Sequence, residues 1–460
     1  MNIILRIFLF TMITICSGLQ PMIGNTSNNS TPYLTEPKWI FDTGFSVSGS
    51  LATDNKGSIY IPTSVYASPN IKRYGYSLFC IDSETGNKKW EFKTGQEINS
   101  TPSVSSDGIV FFGSRDSKIY ALNSEDGSKL WEFETGRAVV ASPALSENGL
   151  VICGSWDGSV YALDSQDGSK IWDFKTHGEV YGAPSLKDGL VYVAGGMSFY
   201  CLDEENGTKI WEYLSGSFAT HSPAIGEGDL VFFGSDDKKI YAFNRYDGTK
   251  LWDYETIGRI YTSITVGKNN SLFFASQYRD ESNSYEENAI VYSIDGNTGQ
   301  LIWELNLDNY IKSTPGLTED GNLIFGGNDG SIYVVEQNTG EVIFKLTLSD
   351  INLSEAQLKK IWSSPLISDD GTIYIANLNG RVFALDGKSS PADSSWPLFK
   401  QNPQRTSKEI PKSNQWLFYK HYPWVYDNVT KDWLYLKGAS DGKIYAYRAS
   451  TKAWEVFDAP

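Results

Sequence analysis

Between residues 142 and 175 the chain sets out short apolar runs, each closed by a turn-forming pair. SPALS leads, Asn148-Gly149 interrupts, LVICGS follows, Asp157-Gly158 interrupts again, SVYALD comes next, and Asp167-Gly168 precedes KIWDF. Short runs rich in Val, Ile, Tyr and Trp, joined by Asn-Gly or Asp-Gly, predict strands linked as consecutive hairpins, because those pairs accept the left-handed backbone that tight hairpin turns require.

The pattern repeats. YALNSEDGSKLWEF at 120–133 becomes YALDSQDGSKIWDF at 161–174. Tryptophans at Trp39, Trp90, Trp131, Trp172, Trp211, Trp252 and Trp303 mark one position of the repeat, and Phe344 takes the eighth turn. A four-stranded unit recurring at a fixed period of this size predicts the blades of a β-propeller. Eight copies of the first three strands run from near Leu51 to the unit SPLISDDGTIYIANLNGRVFALD (364–386). The last copy lacks an outer strand, since SSPADSSWPLF stands where KLWEF would follow, while an unpaired outer strand, KWIFDTG (38–44), stands at the front. The expected fold is therefore all-β: an eight-bladed β-propeller closed by the N-terminal strand, with no free sheet edge left to template aggregation.

The recurring AxDxxxGxxxW, seen as Ala162, Asp164, Gly168 and Trp172 and again as Ala121, Asn123, Gly127 and Trp131, resembles the tryptophan-docking motif of PQQ-repeat, quinoprotein alcohol dehydrogenase-like propellers. The resemblance spans 38–407, including the close WPLFKQNPQRTS (396–407), and implies that each tryptophan packs between blades against the glycine of its neighbour. The enzymes of that family hold PQQ under a ring of two adjacent disulfide-bonded cysteines, beside a calcium ion and an aspartate base. None of those features maps onto this sequence residue by residue, so neither PQQ nor calcium is expected and no catalytic residue is assigned. The nearest non-enzymatic relatives that the resemblance implies are the BamB-type outer-membrane assembly propellers. A PQQ-dependent oxidoreductase and a BamB-like assembly factor both stand as alternatives to a general scaffold.

Composition narrows the function classes. The chain has 460 residues, 40% hydrophobic and 14% aromatic, with a formal net charge of −16 and no long Lys/Arg run, so phosphate backbones and nucleic acid are not its expected partners. The opening MNIILRIFLFTMITICSG reads as a signal peptide over residues 1–18, which predicts a secreted or periplasmic protein of the cell envelope, and no other run is long enough to span a bilayer. Cys16 raises a lipid anchor, but Ile15 stands where a lipoprotein box usually has a small residue, so no anchor is expected. Cys80, Cys153 and Cys201 lie in apolar runs without metal or disulfide spacing and read as core residues. The three histidines, His177, His221 and His421, form no recognised catalytic or zinc motif, although His177 and His221 occupy connections of adjacent blades.

Because the copies act as an internal alignment, positions that refuse to repeat are those that packing does not dictate. They concentrate in the connection from each outer strand to the next inner strand. Three positions before the Ser-Pro proline or its equivalent stand Val47, Asn99, Val140, Tyr181, Thr220, Tyr261, Lys312 and Trp362; two positions earlier stand Phe45, Glu97, Ala138, Glu179, Phe218, Arg259, Tyr310 and Lys360. This predicts a mixed aromatic and charged ring at one mouth of the channel, with Asn99, Tyr181, His221, Arg259, Tyr261, Tyr310, Lys312 and Trp362 as the binding face. Insertions in blade 1 (IPTSVYASPNIKRYGYS), in blade 6 (ASQYRDESNSYEEN) and before blade 8 (DINLSEAQLKKIW, with one short helical turn) enlarge the same face.

Residues 408–415 read as a linker, and 416–460 as a C-terminal aromatic β-hairpin module with hairpins around DNVTKD and RASTKA, suited to packing on itself or to stacking on carbohydrate. The sequence thus predicts a non-catalytic, monomeric scaffold for a protein or cell-envelope component.

Overall fold

In a computed structural model, the chain is described at residues 36–54, 56–68, 71–73, 76–279, 287–348, 360–387 and 389–394, together with the backbone of five strands between 417 and 458. Eight antiparallel sheets follow one another along the sequence, each built from an inner, a second, a third and an outer strand. Blade 3 is representative: Ala144–Leu145, Leu150–Gly154, Ser159–Asp164 and Lys170–Lys175. The only helical element among the described residues is a 3-10 turn at Lys268–Asn270.

The eighth sheet takes its inner three strands from Leu366–Ile367, Thr372–Ala376 and Arg381–Asp386, and its outer strand from Pro37–Asp42, with Phe41 opposite Val382 and Ile40 opposite Phe383. The two ends of the repeat are therefore hydrogen-bonded into one blade, and the predicted closure by the N-terminal strand is what the fold shows. The remaining segment after that blade, residues 387–394, does not extend the eighth sheet. It turns back along blade 7, where Ala392 N–H donates to Leu317 O at 2.9 Å, and the Ser394 hydroxyl reaches Val266 O.

The repeated tryptophans hold neighbouring blades together in one geometry. Trp172 donates its indole N–H to Glu204 O at 2.8 Å in the next blade, and the same bond joins Trp39 to Ser83 O, Trp90 to Ser124 O, Trp131 to Ser165 O, Trp211 to Arg245 O, Trp252 to Gly296 O and Trp303 to Gln337 O. Each ring lies on the glycine of the partner blade's third-to-outer turn. Gly207 has φ +72, and a Cβ there would stand 2.6 Å from the Trp172 ring, so both its backbone and its missing side chain are required. Phe344, lacking the indole donor, packs against the Ile324, Ile373 and Leu385 cluster between blades 7 and 8. Between these contacts the sheets share continuous apolar clusters, such as that of Ile152, Val160, Val193, Tyr200 and Leu202. Cys80, Cys153 and Cys201 are free and buried in the strands.

Strands Leu417–Phe418, Trp424–Asp427, Asp432–Gly438, Lys443–Arg448 and Ala453–Asp458 pair in order as an antiparallel meander, with Tyr426 opposite Trp433 and Tyr447 opposite Trp454. Their side chains, the leader with Cys16, the segment 349–359 where a helical turn is expected, and the phrase 396–407 lie outside the described residues.

Candidate functional site at the channel mouth

The connections entering blades 2, 3, 4, 5, 7 and 8 are each fastened to the second-to-third-strand loop of the blade they enter, while that entering blade 6 pairs with its second strand. Arg115 N–H donates to Glu97 O, Trp156 to Ala138 O, Gly196 to Glu179 O, Asp236 to Phe218 O, Asn328 to Tyr310 O and Leu378 to Lys360 O. These bonds put the variable connections and the variable loops on one face, as the repeat predicts. In blade 1 the corresponding bond runs from Ser64 N–H to Ser46 O, which corrects the internal alignment there by one residue. Ser48, not Val47, lines the channel, and Val47 is wholly buried in the core beside Phe79 and Ile81. The reason is that Leu51 stands in the Ser-Gly-Ser-Leu stretch where the other repeats have proline, so nothing anchors the count.

The channel widens into a pocket of about 200 Å³ lined by Asn99, Tyr181, His221, Tyr261, Lys312 and Trp362 among others. Trp362 is fixed by a 2.9 Å bond from its indole N–H to Asn328 Oδ1, and Lys312 Nζ lies 3.8 Å from the centre of its ring. Tyr181 donates to Glu179, which pairs with Arg137 at 2.6 Å; burial and that carboxylate push the Tyr181 phenol up to about 12. Asn99 donates to Ser48 Oγ at 3.1 Å. Arg259 stands exposed in the short strand Arg259–Ile260, and Tyr310 is half-buried; neither is among the lining residues of the pocket. The repeat-based reading missed Trp156 and Arg115. The Arg115 guanidinium stacks 4.7 Å from the Trp156 ring, which in turn meets Tyr181 at 5.3 Å, extending the aromatic wall over blades 2 to 4. The signal was available, because Trp156 is the one aromatic in a loop position otherwise held by Arg115, Asp236, Asn328 and Leu378.

His177 and His221 are not brought together. His177 is exposed, with Nδ1 3.0 Å from Glu212, whereas His221 is held in the channel wall by Nε2–H donating to Ile260 O at 2.6 Å. Burial lowers the His221 pKa, opposed by the nearby Asp236, whose own pKa burial raises. The sign follows from the shift: between the lowered folded value and the ordinary value near 6.5, the unfolded chain takes up a proton that the folded chain refuses. The stability contributed by neutral His221 is complete above about pH 6.5 and declines as the pH falls below it. Wild type is expected to lose on the order of 1 kcal/mol more than His221→Gln between neutral and mildly acidic pH in urea titrations; parallel losses in the two proteins would refute the assignment.

Among the described residues no carboxylate lines the pocket, whereas calcium calls for six to eight oxygen ligands that usually include carboxylates. Among the described residues no group of three or more His, Cys, Asp and Glu is placed to hold a metal. The turn aspartates are already engaged: Asp157 accepts from Gly136 N–H at 2.7 Å and from the Tyr161 hydroxyl at 2.8 Å. Burial pushes the Cys80 and Cys201 thiols up to about 12, the opposite of an activated nucleophile.

The fold and its docking geometry define a tryptophan-docked, eight-bladed repeat propeller. The chain belongs to the PQQ-repeat family described as outer membrane protein assembly factor BamB, which matches residues 76–182, 157–274 and 287–451. BamB from Moraxella catarrhalis is similar in structure, with a TM-score of 0.58 at 15% identity, covering 77% of this chain and 99% of that one. A europium-containing methanol dehydrogenase is similar with a TM-score of 0.59 at 13% identity, over 74% of this chain and 84% of the enzyme. A quinohemoprotein alcohol dehydrogenase from Pseudomonas putida HK5 gives 0.60 at 11% identity, over 84% of this chain and 79% of the enzyme. At these identities the likeness is one of fold, shared by a non-enzyme and by enzymes alike. None of the curated proteins matches the chain.

Proposed function

We propose that the chain is a non-catalytic scaffold of the cell envelope that docks a protein partner on the face carrying the channel mouth. The observation that carries this reading is the composition of the mouth. Tyr181, Tyr261 and Trp362 come from three different blades and converge on one pocket that, among the described residues, holds no carboxylate and no activated nucleophile. Tyr, Trp and Arg dominate the energetics of protein interfaces, and Arg115 with Trp156 continues the same surface. Family membership supports an envelope setting and an assembly role like that of BamB. The C-terminal aromatic segment, 416–460, enters the proposal as a second contact, to a protein or to carbohydrate.

The test is crosslinking and recovery of partners from envelope extract with wild type and with a Tyr181→Ala, Tyr261→Ala, Trp362→Ala triple variant whose fold is verified by circular dichroism. Loss of one or two interfacial aromatics typically weakens binding by about 2 kcal/mol or more, so the triple variant is expected to recover the wild-type partner about thirtyfold less well. Equal recovery would move the partner to another surface. Addition of PQQ and calcium to the purified protein decides the enzymatic alternative: a quinone absorbance change with dye reduction would replace this proposal by a dehydrogenase.

A further inference from the structure

Below the mouth, the repeats place a Ser or Thr two positions before the inner strand in seven of the eight blades: Ser50, Thr101, Ser142, Ser222, Ser263, Thr314 and Ser364, with Ala183 in blade 4. The hydroxyls link blade to blade around the axis. Ser50 N–H donates to Thr101 Oγ1 at 3.2 Å, Thr101 N–H to Ser142 Oγ at 2.8 Å, Ala183 N–H to Ser222 Oγ at 2.8 Å, Ser263 N–H to Thr314 Oγ1 at 3.1 Å and Thr314 N–H to Ser364 Oγ at 3.1 Å. Ser364 N–H donates to Ser50 Oγ at 3.0 Å, which carries the link across the join between the last blade and the first.

In each of these six hydroxyls a lone pair is taken by a backbone N–H, while the hydroxyl proton finds no acceptor among the described residues. All six are at least nine-tenths buried and all six line the axial pocket. The hydroxyls two positions further along the chain behave differently: Ser103 and Ser185 donate to the carbonyls of Pro143 and Pro223 in the next blade. The ring before the inner strands thus presents donors to the axis with their acceptor capacity already partly used. Lys312 adds an ammonium at the rim, and among the described residues no carboxylate lines the space. In a chain of net charge −16 this is a local reversal of sign, and a buried array of unmatched donors is costly unless an acceptor meets it.

We propose that the axial pocket is a binding site for a small oxyanion, a phosphate, sulfate or carboxylate group, held by the hydroxyl ring and by Lys312. Several donors converging on one charged acceptor make charge-assisted bonds, which are the stronger class. A pocket of about 200 Å³ accommodates such a group, whether as a free ion or as the terminus of a larger molecule lying in the mouth. The proposal concerns the same pocket as the scaffold reading, but ion titration and partner recovery test the two separately, so either can fail with the other intact.

The experiment is calorimetric titration of the full chain with inorganic phosphate, sulfate and acetate, and with phosphoserine as a probe for an attached group. Saturable binding at or below about 1 mM by at least one of these is the expected result. Phosphoserine binding more tightly than phosphate identifies an attached group as the natural guest, and the reverse order identifies a free ion; both support the site. Lys312→Met, which keeps the stem and removes the charge, is expected to weaken binding about tenfold or more. Thr101→Val, which keeps the shape and removes the hydroxyl, is expected to weaken ion binding in a protein whose fold is verified by circular dichroism. If all four probes fail to bind up to about 10 mM, or if Lys312→Met and Thr101→Val bind as wild type while remaining folded, the assignment is overturned.

Discussion

Truncating Trp172 to alanine is expected to lower the unfolding free energy by about 3 to 5 kcal/mol, the cost of emptying a buried aromatic site between two rigid sheets. The ring is 7% exposed, its N–H is bonded to Glu204 O, and its face rests on Gly207, so removal leaves a void, an unpaired carbonyl and a loosened blade interface together. Trp172→Phe is the internal control, because the chain itself uses Phe344 at this position of blade 7. It should cost about 1 kcal/mol beyond repacking, the net worth of one hydrogen bond. Guanidinium denaturation followed by far-ultraviolet circular dichroism measures both. Near-equal midpoints for wild type and Trp172→Ala would mean that the blades are held together by their core clusters and that the docking ring is dispensable.

Removing residues 1–44 is expected to have a still larger effect, exceeding that of a single ring because a whole strand, a docking tryptophan and the closure of the repeat are lost at once. Without Pro37–Asp42, the third strand of blade 8, Arg381–Asp386, becomes a free edge flanked by buried Val382, Phe383 and Ala384. Trp39 would no longer cover Gly86 of blade 1. An exposed apolar edge recruits the nearest strand, so the truncated chain should form dimers or aggregates at concentrations where the full chain does not, with a lower melting temperature. A synthetic peptide spanning the missing strand, added during refolding, should restore part of the melting temperature. Light scattering coupled to size exclusion reads the first outcome and calorimetry the second. A truncated protein with unchanged mass and melting temperature would show that the hydroxyl link between Ser364 and Ser50, with the apolar contacts around it, closes the ring unaided.

The blades were legible because a propeller is locally encoded. Each turn pair, apolar run and tryptophan specifies its own hairpin, and the repetition multiplies the signal. Closure was legible for a related reason: an outer strand missing from one end and present at the other leaves one pairing that satisfies both. The mouth was legible only in part. Tyr181, Tyr261, Lys312 and Trp362 do meet at one pocket, because a repeat position maps to one height on the axis. Val47 was misplaced because the count at blade 1 had no proline to fix it, and a shift of one residue along an extended chain moves a side chain from channel to core.

By itself the sequence determined the number of blades, their strand order, the docking tryptophans and the manner of closure, because all of these rest on local periodicity. Only the tertiary structure decided that Trp156 and Arg115 join Tyr181 in one wall, that His177 and His221 stay apart, and that serine and threonine hydroxyls link blade to blade around the axis. Those relations join residues of different blades, and their distances follow from how the sheets pack around the axis, a quantity that no single repeat contains.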